Sequence, residues 1–173
     1  MYLKFGKVAI RSAQQNDINN LCNWWASGEI MAHAGFPNGL STDKSKLSQR
    51  IDAQNKDLLP DNQLIIIELD NDYPIGEMNY RLKSDGVFEI GIKICVSTEQ
   101  SKGYGATAIK LLISFLKNEM KAKKIILDTN LKNIGAQKFY KRLGFKQTKI
   151  LKDCWADQLG NLQGAVFFEL KLY

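Results

Sequence analysis

What this chain has little of narrows its chemistry before any motif is read. It carries one histidine, His33, and three cysteines, Cys22, Cys95 and Cys154, an odd number with no C-x-x-C pair. Metal centres need clustered ligands of those types, so no metal cofactor is expected, and scattered cysteines suit a reducing compartment. No stretch approaches the run of about 20 apolar residues that spans a bilayer. The opening Met1-Tyr-Leu-Lys-Phe-Gly-Lys reads as a strand rather than a charged segment followed by an apolar block. These absences predict a soluble, cytoplasmic protein with no membrane partner. Repeats, low-complexity tracts and Pro/Gly/Ser linkers are missing too, so residues 1–173 read as a single domain. At 173 residues and 45% hydrophobic content, such a domain buries a core without disulfides or a structural metal.

The net charge is +6, but the basic residues are dispersed except for Lys121-Ala-Lys-Lys124. Nucleic-acid binding calls for a basic face interleaved with aromatics, and no nucleic-acid partner is expected. A phosphate-rich small ligand draws on the same charge.

Hydrophobic spacing sets the coarse architecture. Residues 4–10 read as a first strand, and Ile18, Leu21, Cys22 and Trp25 share one helix face, with Asn16 or Asp17 as its cap. Residues 28–40, carrying Gly, Pro and Asn, read as a loop, and Ser41 or Thr42 opens a helix running towards Lys56. Three strands follow as an antiparallel meander: 64–69, 75–82 and, after Ser84-Asp-Gly86, 87–96. Ala106, Ile109, Leu112, Ile113, Leu116 and Met120 stripe a long helix. After it come a strand at 124–129, a helix face of Ala136, Phe139, Tyr140 and Leu143, and strands at 145–150 and 165–172. The predicted order is β-α-α-β-β-β-α-β-α-β-β.

Between the meander and the long helix lies Glu99-Gln-Ser-Lys-Gly-Tyr-Gly-Ala-Thr-Ala108, whose Gly103, Gly105 and Ala108 satisfy G-x-G-x-x-A. A dinucleotide fingerprint places its first glycine directly after a strand within a βαβ unit. Here six residues, 97–102, intervene and the preceding strands are hairpins, while no G-K-[ST] supports a P-loop. The surviving reading is physical: a glycine-rich turn into a helix N-terminus presents unpartnered N–H groups to a pyrophosphate, with Lys102 as counter-charge. A plain turn fits those residues alone equally well.

A second stretch, Asn133-Ile-Gly-Ala-Gln-Lys-Phe-Tyr140-Lys-Arg-Leu-Gly144-Phe145, together with Val96-Ser-Thr-Glu-Gln100-Ser-Lys-Gly103-Tyr-Gly105, resembles the acyl-CoA-binding motifs of the GNAT acetyltransferase superfamily. The patterns are N-x-x-A-x-x-x-Y-x-x-x-G-F and V-x-x-x-x-Q-x-x-G-x-G, covering about residues 87–147. Residues 10–40, with Trp24-Trp25, look like the branch of ribosomal-protein N-terminal and aminoglycoside acetyltransferases. The resemblance implies a mixed α+β fold: a twisted, mostly antiparallel sheet with helices on both faces and a splayed central strand pair that admits pantetheine. It implies acetyl-CoA as acyl donor, held near Cys95, Val96, Gln100 and Asn133. The pyrophosphate would lie on the N–H groups of Lys102, Gly103, Tyr104, Gly105 and Ala106.

Acetyl transfer needs a free amine, a stabilised oxyanion and a proton for the departing thiolate. By the resemblance, Tyr140 supplies or shares that proton; core packing is its alternative role. A lysine-like amine near pKa ~10.4 costs roughly 4.6 kcal/mol to deprotonate at pH 7, an α-amine near ~8 far less. A base is therefore optional for a peptide N-terminus. Glu89, on the strand that carries the base in several family members, is the first candidate and His33 the second. Trp25, His33, Phe36 and Trp155, with Asp153 and Asp157, come from the regions that wall the acceptor site, and acids beside aromatics suit a cationic amine. The implied partner is a small-molecule or protein amine, with a homodimer among the assemblies common in relatives. The competing function is a CoA-binding sensor that keeps the fold without turnover.

Overall fold

The computed structural model describes residues 1–70 and 72–172. Strands β1 (Tyr2–Phe5) and β2 (Val8–Ser12) replace the expected single strand at 4–10. They form a tight antiparallel hairpin because Gly6 adopts a left-handed φ of 57°, a conformation that glycine enters without steric cost. Helix α1 (Ile18–Ala26) buries Leu21. The expected loop at 28–40 contains a short helix, α2 (Gly28–Met31), capped by Ser27, and a 3-10 turn at Ala32–Ala34. Helix α3 (Lys44–Asn55) starts one or two residues later than expected, because Asp43, not Ser41 or Thr42, accepts from the Ser45 and Lys46 amides.

The meander is β3 (Asn62–Leu69), β4 (Tyr73–Ser84) and β5 (Val87–Ile94). Helix α4 (Tyr104–Asn118), β6 (Lys124–Asn130) and α5 (Ile134–Arg142) follow. The chain closes with β7 (Lys146–Ala156) and β8 (Leu162–Lys171). β7 outruns its expected end because the pairing with β8, interrupted between Leu151 and Trp155 where Asp153 adopts a φ of 46°, resumes at Trp155.

All eight strands form one mixed sheet in the order β1-β2-β3-β4-β5-β6-β8-β7. Only β5 and β6 run parallel. Alternation along the strands divides the core. One side, with Ile65, Ile67, Phe88, Ile125 and Leu127, packs on Ile109, Leu112 and Leu116 of α4. The other, with Leu64 and Ile66, packs on Leu21 of α1 and on Leu47 and Ile51 of α3. Helices therefore cover both faces, and the mixed α/β architecture implied by the resemblance is the one observed.

β5 and β6 pair only at Val87↔Lys124, Phe88↔Ile125 and Glu89↔Ile126, although β5 runs on to Ile94 and β6 to Asn130. Beyond those three rungs the strands part. The opening lies mid-sheet and faces the starts of α4 and α5.

Candidate active site

At one end of the opening the backbone is shaped for an anion. After β5, a 3-10 turn at Ser97–Glu99 leads to Ser101 and Gly103, both left-handed with φ of 61° and 86°. Alternating left- and right-handed residues turn successive N–H groups into one concavity. Gly103 is the N-cap of α4 and no side chain caps the helix, so the N–H groups of Tyr104, Gly105 and Ala106 lack intrahelical acceptors. A Cβ at Gly103 would meet nothing within 4 Å; its dihedral, rather than any neighbour, demands glycine there. Lys102 is exposed and pairs with Glu99 at 3.1 Å, so part of its charge is already balanced.

The opening itself offers backbone groups of β5, at residues one step away from those expected. The N–H groups of Cys95 and Val96 both donate to the Ile75 carbonyl, at 2.8 and 3.1 Å, and are committed to β4. Alternation of an antiparallel ladder then turns Ile92 and Ile94 towards the gap. Gln100 reaches them from that side, its Nε2 donating to the Ile94 carbonyl at 2.9 Å. Burial, with the Glu77 carboxylate adding to it, pushes the Cys95 thiol up to about 12, which keeps it a protonated packing group.

Ile92, Ile94, Cys95 and Gln100 line a cleft of about 900 Å³ together with residues of β6 and α5, and the 101–106 turn follows Gln100 just outside that lining. Asn133 lines it and caps α5, its Oδ1 accepting from Ala136 N at 3.0 Å. Tyr140 is buried among Phe139, Phe145 and Phe168, with ring centroids 5.3, 5.8 and 5.9 Å away. Burial, reinforced by Asp128, pushes its hydroxyl up to about 12. No group among the described residues hydrogen-bonds that hydroxyl, and Tyr140 lines the cleft, so its proton is available to a ligand at neutral pH.

The far end of the cleft gathers some of the expected acceptor residues and leaves others outside. His33 and Trp155 line it, although more than 100 residues separate them. The Trp155 ring lies against Gly35, where a Cβ would come within 2.5 Å of Cζ3. Gln158 fastens the same contact: its N–H donates to Gly35 O at 2.8 Å, its Oε1 accepts from Asn38 N at 2.9 Å and its Nε2 donates to Gly39 O at 3.1 Å. Trp25 and Phe36 are not on the cleft wall. Trp25 Nε1 donates to Glu77 at 3.1 Å, a carboxylate only 3% exposed that also pairs with Lys93 at 3.1 Å. Asp157 is occupied by its own turn, accepting from the amides of Leu159 and Asn161 and from Gln163 Nε2.

Glu89 stands apart. It pairs with Arg81 at 3.2 Å and Lys83 at 3.5 Å and faces a smaller cavity of about 260 Å³. Asp128 lines both cavities, and it, Glu29 and Lys93 are cleft residues outside the expected site. Asp128 had a signal: a carboxylate closing the apolar run Ile125-Ile-Leu127.

A helix start with uncapped N–H groups beside a parted strand pair, with a protonated phenol beyond it, suits an acyl-CoA-dependent transferase. The chain matches the family model described as an acetyltransferase (GNAT) domain over residues 7–146 and belongs to that family of N-acetyltransferases. Its fold is shared with solved structures of low identity. A ribosomal L7/L12 α-N-protein acetyltransferase in complex with coenzyme A is 12% identical, with a TM-score of 0.84 and coverage of 99% of this chain and 98% of that one. The spermidine N-acetyltransferase from Vibrio cholerae, in complex with CoA and spermine, is 18% identical with a TM-score of 0.83 and 95% of each chain covered. The ribosomal-protein-S5-alanine acetyltransferase from Vibrio fischeri is 14% identical with a TM-score of 0.79, covering 99% and 96%. No curated protein sequence matches the chain.

Proposed function

We propose that this chain, acting as one domain, transfers an acetyl group from acetyl-CoA to a primary amine by direct attack on the thioester. The observation that carries the reading is one continuous cleft, running from the parted strands β5 and β6 to the free hydroxyl of Tyr140 and opening beside the anion-shaped turn at 101–106. Acetyl-CoA supplies the activated acyl group. The backbone of 101–106 takes its pyrophosphate, Gln100 and Asn133 order the adjoining turn and helix, and β5 offers the gap-facing groups of Ile92 and Ile94.

Tyr140 hydrogen-bonds the leaving sulfur. A phenol near 12 does not by itself surrender its proton to a thiolate of ordinary thiol pKa, about 8.5. It works as a relay, giving its proton to sulfur while taking one from the amine nitrogen. The acceptor is a cationic amine, small-molecule or at a protein N-terminus, because Glu29 and Asp128 bring unpaired negative charge to the acceptor end beside Trp155. Neighbouring folds are described as acting on spermidine and on ribosomal-protein N-termini, and both kinds of amine fit that charge.

The test is thiol release from acetyl-CoA across a panel of spermidine, an aminoglycoside and short peptides opening on Ser or Ala. Release with at least one amine is expected. Thermal stabilisation by acetyl-CoA with no release from any of them would instead make the chain a CoA-binding sensor.

A further inference from the structure

The acetyl-transfer reading leaves open what removes the first proton from the amine, and the geometry points to Asp128 as that proton acceptor. The inference rests on the proposed transferase activity and adds to it a catalytic residue. Asp128 sits on β6 two residues beyond the last rung that β6 shares with β5, Glu89↔Ile126. Carrying that register forward places it level with Gly91, where in place of a side chain of β5 itself the Asn79 amide of β4 comes within 3.0 Å of the Cβ position. Leu127 points into the α4 side of the core, so Asp128 points to the other face. That is the face of the 3-10 turn bearing His33, which packs against β6. Tyr140 belongs to the α4 side. A thioester in the gap would therefore have a proton donor on one side of the sheet and a carboxylate on the other.

The charges around Asp128 distinguish it from Glu89. Among the described residues Asp128 has no ion-pair or hydrogen-bond partner, whereas Glu89 is held by Arg81 and Lys83. The titratable groups that share a cavity with Asp128 or act on its charge are Glu89, Lys93 and Cys95 from β5 and its end, Lys83 from β4, Glu29 from α2, Tyr140 from α5, Lys149 from β7, Glu169 from β8 and His33 from the 3-10 turn. Asp128 is exposed as a residue, but the cleft walls shield its carboxylate from part of the surrounding water. Loss of that water, with the Glu89 charge adding and Lys83 opposing, raises the Asp128 carboxyl above its ordinary value. The shift has the direction a base needs to work nearer neutrality.

The step balances as follows. The amine arrives protonated and loses one proton to the Asp128 carboxylate. Its lone pair forms the N–C bond to the thioester carbonyl, and the C–S bond breaks with its electron pair leaving on sulfur. The second nitrogen proton reaches sulfur through the Tyr140 hydroxyl. The products are the N-acetyl amine and free CoA thiol, and the proton on Asp128 returns to water.

The experiment is the pH profile of kcat/KM for wild type, Asp128→Asn and Glu89→Gln, using the fastest amine of the panel above, with acetyl-CoA affinity measured separately. Asp128→Asn is expected to lose about 100-fold in kcat/KM at pH 7, the lower range for a general base. Its acetyl-CoA affinity stays within twofold, and its rate keeps climbing with pH towards the pKa of the amine because only free amine now reacts. Glu89→Gln, having lost a neighbouring negative charge, moves the ascending limb to lower pH without abolishing it. Asp128→Asn retaining its rate within threefold and the wild-type limb overturns the assignment, as does disappearance of the limb in Glu89→Gln. Wild type releasing no thiol with any amine overturns the transferase reading itself.

Discussion

Beside one end of the cleft, the groups proposed to face the donor are backbone N–H groups from a few consecutive residues at 101–106. At the acceptor end they are side chains, His33, Asp128 and Trp155, drawn from three segments far apart in the chain. The first end is fixed by dihedral angles that two residues, Ser101 and Gly103, hold in place. The second is held by tertiary contacts: the Trp155 ring on Gly35 and the Gln158 hydrogen bonds to 35–39. A donor site built on backbone changes little when surface side chains change. An acceptor site assembled by side chains across a hairpin can be re-specified without disturbing the fold.

That contrast breaks first at Tyr140, where the two ends meet. Tyr140→Phe keeps the ring packing on Phe145 and Phe168 and removes only the hydroxyl, so kcat should fall by about 100-fold or more while acetyl-CoA affinity stays within twofold. An unchanged kcat would take Tyr140 out of the proton relay. Next comes Gly35→Ala. Its Cβ would press on the Trp155 ring at 2.5 Å from a φ of 96°, an overpacking that costs roughly 1–3 kcal/mol. The KM for the amine should rise about tenfold by that cost, with the KM for acetyl-CoA unmoved; a matching rise in both would mean that the ends are not independent. Gly103→Ala is the reciprocal experiment. Left-handed backbone costs a non-glycine residue roughly 1–2 kcal/mol, so the acetyl-CoA KM should rise about fivefold to thirtyfold while the amine KM holds.

The same contrast explains what was legible in the sequence. The proposed donor end draws on short local patterns: Gly103 and Gly105 before an apolar helix stripe, then Asn133 and Tyr140 at fixed spacing. The strand order from 64 to 145 followed from alternation and turn residues. The hairpin at Gly6 was missed because seven apolar residues among 1–10 mask a single turn. The commitment of Cys95 and Val96 to Ile75 depends on how β5 leaves the sheet, which no local pattern encodes. Trp25 had the right composition for the acceptor end but turns to the buried Glu77, and Phe36 is not on the cleft wall. Asp157 read as a substrate acid and is a turn residue. Side-chain direction there is decided by a β7 that bulges twice, and bulges have no reliable sequence sign.

The smallest effect isolates the latch from the wall it holds. Gln158→Ala removes the two side-chain hydrogen bonds to Asn38 and Gly39 but leaves the Gln158 N–H on Gly35 O. Each lost bond is worth about 0.5–1.5 kcal/mol at most, and less where water can replace it; Gln158 is exposed. Tm should therefore drop by only about 2–4 °C, the shift expected for a ΔΔG near 1 kcal/mol in a chain of this size. The Trp155 ring stays on Gly35, so the wall is loosened rather than lost, and the amine KM should rise about twofold to threefold with kcat and the acetyl-CoA KM unchanged. Steady-state kinetics with each substrate varied in turn reads all three. If kcat fell instead, the hairpin would be ordering the reacting groups as well as the acceptor, and the division between a backbone-built donor end and a side-chain-built acceptor end would have to be redrawn through β7.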